Sequence, residues 1–212
     1  MKVMKFGGTS VGSPDRMKSV AKLIRSGNEC NLAVLSAMSG TTNSLVEIAD
    51  YYSKNNVSSA KAKVGELRAK YAKHVEELYA TEAMRKETMA FLDNIFTRLL
   101  SFDVATFSQA DEKEILSKGE IMSTNMMTNY MREQGIKVVL LSAFDFMRID
   151  ENREPDQKYI REHVNPVIAQ YPDAETFITQ GFICLDKDGS IDNLERGGSD
   201  YTASLLGAAV HA

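Results

Sequence analysis

Lys5-Phe6-Gly7-Gly8-Thr9-Ser10 sets one positive charge beside two consecutive glycines and two hydroxyls. Glycines let a backbone turn tightly and bring its N–H groups close to an anion. The next residues, Val11-Gly12-Ser13-Pro14-Asp15, are a strong helix start, with Ser13 as N-cap, Pro14 at the first helical position and Asp15 in the first turn. A strand, a glycine turn carrying a lysine and a helix N-terminus together suit a phosphate. Packing alone also explains glycines after a first strand. Neither G-x-G-x-x-G nor G-x-x-x-x-G-K-[ST] is present, so a nucleotide site here would belong to another class.

Three later stretches could carry chemistry. Ser36-Ala37-Met38-Ser39-Gly40-Thr41-Thr42-Asn43 is a polar loop that a helix connection capped by Thr42 or Asn43 would also explain. Ser117-Lys118-Gly119-Glu120-Ile121-Met122-Ser123 has the serine and glutamate of a capping box. Gly119 fits that reading less well, because a first-turn glycine costs helix stability and would admit a ligand close to the backbone. In Arg196-Gly197-Gly198-Ser199-Asp200, a cap at Ser199 and a first-turn Asp200 explain two residues but leave the glycines and Arg196 unexplained. His74, His163 and His211 have no ligand-like spacing and read as structural or exposed. Cys30 and Cys184 lie far apart with no C-x-x-C, which suggests neither a zinc site nor a disulfide framework.

Positioning these residues requires a chain of alternating strands and helices. At 212 residues the chain could be one large domain or two small ones. Its net charge of −4 gives no reason to expect nucleic-acid or membrane partners. No apolar run approaches the roughly 20 residues that span a bilayer, and the first residues enter a strand directly, so no signal peptide is expected and the cytoplasm is the default. Val3, Met4 and Phe6 read as a short buried strand, followed by strands at Leu32–Leu35, Lys137–Leu141 and Glu175–Thr179. Residues 58–131 read as helical, with Ala60, Val64, Leu67, Tyr71, Val75 and Leu78 on one stripe and Leu92, Ile95, Phe96 and Leu99 on another. This block is expected to pack as a subdomain at the sheet's edge. Another helix is expected from Asp156 to Gln170, bent or broken at Pro166, then a turn at 186–190 and an apolar helix from Ala203. Such alternation predicts a mostly parallel sheet with ligands at the carboxyl ends of its strands.

Taken in order, the four stretches, the last extended by Thr179-Gln180-Gly181-Phe182-Ile183, resemble the aspartate kinases of the amino acid kinase family. The resemblance implies an α/β fold, a three-layer α/β/α sandwich with a mostly parallel sheet and a helical insert between the second and third strands. It implies ATP-dependent phosphorylation of the L-aspartate side-chain carboxylate to 4-phospho-L-aspartate, the first step toward lysine, threonine and methionine. Lys5 would lie along the transferred phosphate, with Gly7, Gly8, Thr9 and Ser10 cradling ATP oxygens. Asp200 would orient Lys5 and the water shell of Mg²⁺, a metal held mainly by phosphates and water with no protein metal cluster. Glu120 would meet the aspartate ammonium and Arg196 its α-carboxylate, with Ser36, Thr42 and Ser199 on substrate oxygens. Residues 1–212 would be the front part of the catalytic domain. Family members continue into strands that hold adenine and ribose, usually followed by ACT domains, and the full-length protein would be a homo-oligomer. Glu195 and the 190–193 loop depart from the family pattern. The alternatives are another amino acid kinase or a non-catalytic aspartate- and phosphate-binding fragment.

Overall fold

In the computed structural model, residues 1–27, 29–194 and 197–212 are described. Strands β1 (Lys2–Phe6), β2 (Asn31–Leu35), β3 (Val138–Leu141) and β4 (Thr176–Gln180) form one parallel sheet in the order β1-β2-β4-β3. In register, Phe6 pairs with Leu35, Leu35 with Gln180, and Leu141 with Thr179. The carboxyl ends of all four strands therefore meet along one edge, and Gly7, Ser36, Ser142 and Gly181 begin the loops there.

Strand periodicity divides the core into two. On β2, Ala33 and Leu35 face one side with Ile178, whereas Leu32 and Val34 face the other with Phe177. The first side carries α1 (Pro14–Ile24), α2 (Thr41–Ser53), α3 (Val57–Leu78), α4 (Glu82–Leu99) and α5 (Gln109–Glu133). The second carries a 3-10 turn at Ala143–Asp145, α6 (Gln157–Ala169), α7 (Gly198–Ala209) and an antiparallel hairpin of β5 (Ile183–Leu185) and β6 (Ile191–Asn193). The result is a three-layer sandwich, as expected. No helix among the described residues is long and apolar enough to cross a membrane.

The helical stripes lie where their spacing puts them, with all six α3 residues and all four α4 residues buried. Their packing differs from the expected subdomain at an edge. The α5 helix lies against β2, β3 and β4, and α3 and α4 continue the same apolar cluster outward. Strand β1 is half-buried, because it borders the sheet and has a neighbour on one side alone. Helix α6 runs through Pro166, and the short hairpin around the 186–190 turn was not foreseen.

Three capping expectations fail. Ser117 and Glu120 sit mid-helix in α5, whose real capping box is Ser108 with Asp111. The N-caps of α2 and α7 are Gly40 and Gly197, both left-handed (φ 78° and 88°) and without a side-chain cap, so Thr42, Asn43 and Ser199 cap nothing.

Candidate active site

Lys5 is the next-to-last residue of β1, and Asp200 lies in the first turn of α7. Packing α7 against β1 brings the Lys5 ammonium to 3.1 Å from both carboxylate oxygens of Asp200. Lys5 keeps a quarter of its side chain exposed and Asp200 71%, so the pair faces open solvent. A methyl group on Gly7 would stand 3.5 Å from the Lys5 ammonium, which places the glycine turn directly beside that charge.

The turn is shaped by close approach. A Cβ on Gly8 would lie 2.7 Å from the Ala37 carbonyl oxygen, and one on Gly12 would lie 2.9 Å from the Gly8 carbonyl oxygen. Only glycine fits at such distances. The Ser39 N–H donates to the Gly8 carbonyl at 3.0 Å, locking the loop after β1 to the loop after β2. Within the turn, Ser10 N–H donates to the Gly7 carbonyl, whereas the N–H groups of Gly7, Gly8 and Thr9 meet no acceptor among the described residues. The same holds for the N–H groups of Gly40 and Thr42, where α2 starts without a side-chain cap. Free N–H groups at a glycine turn and at helix starts are binding positions for anions.

Glu120 comes from the middle of α5 and is 4% exposed. Its Oε1 accepts from the Ala37 N–H at 3.1 Å, and its Oε2 is buried with no partner among the described residues. Burial raises its carboxyl to about 7, opposed in part by the Ala37 hydrogen bond. Gly119 lets α5 come this close, since a Cβ there would stand 2.8 Å from the Ala37 Cβ. Mid-helix glycine is thus explained by contact between α5 and the loop after β2.

These pieces line one cleft of about 270 Å³, formed by Lys5, Ser36, Thr42, Glu120, Phe182, Gly197, Gly198, Ser199 and Asp200. The structure therefore brings Lys5, Ser36, Thr42, Glu120, Ser199 and Asp200 into one cleft. Gly7, Gly8, Thr9 and Ser10 form the adjacent turn. Arg196, like Glu195, lies outside the described residues. Phe182, Gly197 and Gly198 were missed as lining residues. Phe182 has a left-handed backbone (φ 69°), its N–H donates to the Thr202 hydroxyl, and its carbonyl accepts from Leu194. An apolar residue after Gly181 carries no sequence signal for that conformation. Gly181 has its own reason: a Cβ there would fall 2.5 Å from the Ser199 hydroxyl oxygen and 2.8 Å from the Ser199 Cα.

The amino acid kinase family model matches residues 1–212. Lysine-sensitive aspartokinase 3 of Escherichia coli (strain K12) is 34% identical over 213 residues, covering 99% of this chain and 46% of that protein. Aspartokinase 1, chloroplastic, of Arabidopsis thaliana is 32% identical over 221 residues, covering 98% of this chain and 38% of its own length. The chain thus spans less than half the length of these relatives. The crystal structure of E. coli aspartokinase III in complex with aspartate and ADP superposes with a TM-score of 0.82 at 30% identity, covering all of this chain and 47% of that one. The lysine- and aspartate-bound form of that enzyme gives 0.85 at 32% identity, covering all of this chain and 47% of that one. By the whole-length family match, and with the cleft at the carboxyl ends of a parallel sheet, the chain belongs to the amino acid kinase family.

Proposed function

We propose that this chain carries the aspartate- and phosphate-binding half of an ATP-dependent aspartate kinase. The observation that carries the reading is Glu120 Oε2, a buried carboxylate oxygen without a partner among the described residues, in the cleft that also holds Lys5 and Asp200. A buried acceptor of this kind is costly unless a ligand supplies the donor. The ammonium of an amino acid is such a donor.

In the reaction, an oxygen of the substrate's side-chain carboxylate attacks the γ-phosphorus of ATP. The bond from that phosphorus to the bridging oxygen breaks, ADP leaves with the electron pair, and an acyl phosphate forms. The carboxylate is ionised at neutral pH, so no general base is needed. What the protein supplies is position and positive charge. Lys5 neutralises charge on the transferred group, and the free N–H groups of Gly7, Gly8 and Thr9 hold phosphate oxygens. Ser36, Thr42 and Ser199 present hydroxyls along the cleft, with those of Thr42 and Ser199 spared from capping. Arg196 is assigned the α-carboxylate for its paired donors. Asp200 orients Lys5, and its exposed carboxylate suits the water shell of a phosphate-bound Mg²⁺, which would neutralise phosphate charge.

Isothermal titration of residues 1–212 with L-aspartate, L-glutamate, N-acetyl-L-glutamate and carbamate tests the reading. Aspartate is expected to bind, and to bind at least about tenfold less tightly to Glu120→Gln, the worth of one charge-assisted hydrogen bond. Preference for any of the other acceptors, or an indifferent Glu120→Gln, overturns it.

A further inference from the structure

Helix α3 sends two side chains, one helical turn apart, to the rear of the loops that build the phosphate turn. The Lys70 ammonium donates to the Ser39 carbonyl at 2.6 Å. His74 Nδ1 lies 2.8 Å from the Lys70 carbonyl, and its Nε2 lies 3.3 Å from the Gly12 carbonyl. Both oxygens only accept, so a neutral ring can hold one at a time. The neighbouring Tyr71 hydroxyl lies 3.1 Å from Thr41 Oγ1, at the first residue of α2. One face of α3 therefore holds the loop after β1, the loop after β2 and the start of α2.

The Ser39 carbonyl matters because a trans peptide points its C=O and N–H in opposite directions. Fixing that oxygen on Lys70 turns the Gly40 N–H away from α3. This N–H has no acceptor among the described residues, and it stands at the start of α2, two residues before Thr42 in the cleft. The left-handed Gly40 makes this peptide easy to flip, since glycine tolerates either orientation. Burial also lowers the Lys70 ammonium from its usual range, a cost that surface lysines avoid. Neither Lys70 nor His74 lines the cleft itself.

We infer that Lys70 and His74 are positioning residues for the phosphate cradle: Lys70 holds the Ser39 carbonyl on α3 so that the Gly40 N–H remains turned toward a phosphate chain, and the His74 ring backs the glycine turn at the Gly12 carbonyl. The inference rests on the phosphate-binding reading of the glycine turn given above.

The test titrates residues 1–212 with magnesium tripolyphosphate and, separately, with L-aspartate, in the wild type, Lys70→Met, Lys70→Arg and His74→Ala. Amide NMR of Gly40 and thermal midpoints accompany the titrations. Lys70→Met is expected to weaken tripolyphosphate about tenfold, roughly one hydrogen bond's worth, with aspartate changed less than about twofold. Lys70→Arg should recover most of the loss, and His74→Ala should fall between. The Gly40 amide should shift with tripolyphosphate in the wild type and much less in Lys70→Met. Unchanged tripolyphosphate affinity in Lys70→Met overturns the inference. So does an equal loss for both ligands with a lowered midpoint, which is the mark of a merely structural residue. A wild type that binds aspartate but no tripolyphosphate refutes the phosphate turn and this inference with it. A wild type that binds neither refutes the functional reading as a whole.

Discussion

Glu120 keeps one oxygen on the Ala37 N–H and the other, buried, on no partner among the described residues. Its folded value of about 7 stands above the ordinary 4.5. Between those two pH values the native state binds the extra proton, so stability is present below about 4.5 and is lost as pH rises through 7. The rise from 4.5 to about 7 corresponds to no more than about 3–4 kcal/mol above pH 7. Glu120→Gln should therefore be more stable than the wild type at pH 8 and no more stable near pH 4.5, as read by urea unfolding. Equal offsets at both pH values would show that the carboxyl is not destabilised by burial. Ligand binding carries the opposite sign. An ammonium selects the ionised form, so aspartate affinity should fall about tenfold per unit below pH 7 and be flat in Glu120→Gln. Lys5 makes a separate prediction. In a turnover-competent protein containing this chain, Lys5→Ala should lower kcat by about 10²–10³-fold with a much smaller rise in KM for aspartate. A near-normal kcat would remove Lys5 from the transferred phosphate.

Helices whose starts do not line the cleft are capped by side chains: Ser13, Asn56, Thr81, Ser108 and Asp156 each accept from a first-turn N–H. The two whose starts meet the cleft, α2 and α7, begin on left-handed glycines instead. This contrast explains which parts of the fold were legible. Stripes such as Val64, Leu67 and Tyr71 could be read because burial on one helix face imposes a period on the sequence. Thr42 and Ser199 were misread as caps because their types suit capping, and only the tertiary fold shows the preceding glycine taking that place. Ser117 and Glu120 imitate a capping box by spacing, but α5 is buried on several faces, and its true start uses aspartate in the partner position. Phe182 was illegible because its left-handed backbone is imposed by Thr202 and Leu194, distant in sequence. Gly181 tests how α7 is seated. Gly181→Ala would push Ser199 by its own backbone, so a shift of α7 away from Lys5 is expected, with about 1–3 kcal/mol lost to overpacking. Thermal unfolding and aspartate titration of the variant check this, and unchanged values for both would show that α7 is loosely held.

On the scale of the whole molecule, the proposed reaction would use this cleft for only part of its work. Among the described residues its lining carries one cation (Lys5), two carboxylates (Glu120 and Asp200) and three hydroxyls (Ser36, Thr42 and Ser199), and Phe182 is its one aromatic. The relatives it matches carry more than as much sequence again. Lys5 itself stands on β1, a border strand whose outer edge is unpaired within the sheet. Edges of this kind invite pairing with another chain, so residues 1–212 alone are expected to self-associate as concentration rises. Phosphoryl transfer depends on holding ATP in line with the attacking carboxylate, and well-oriented reactants can account for about 7–11 kcal/mol of barrier lowering. If the glycine turn holds only one end of the nucleotide, as proposed, the γ-phosphate would take several poses. Residues 1–212 by themselves should therefore bind aspartate yet form acyl phosphate far more slowly than a full-length aspartokinase. Trapping the product with hydroxylamine measures this directly, with a full-length relative as the control. Equal turnover would mean that the nucleotide is held entirely by residues present here, and that the base of ATP lies against a surface other than the cleft between Lys5 and Glu120.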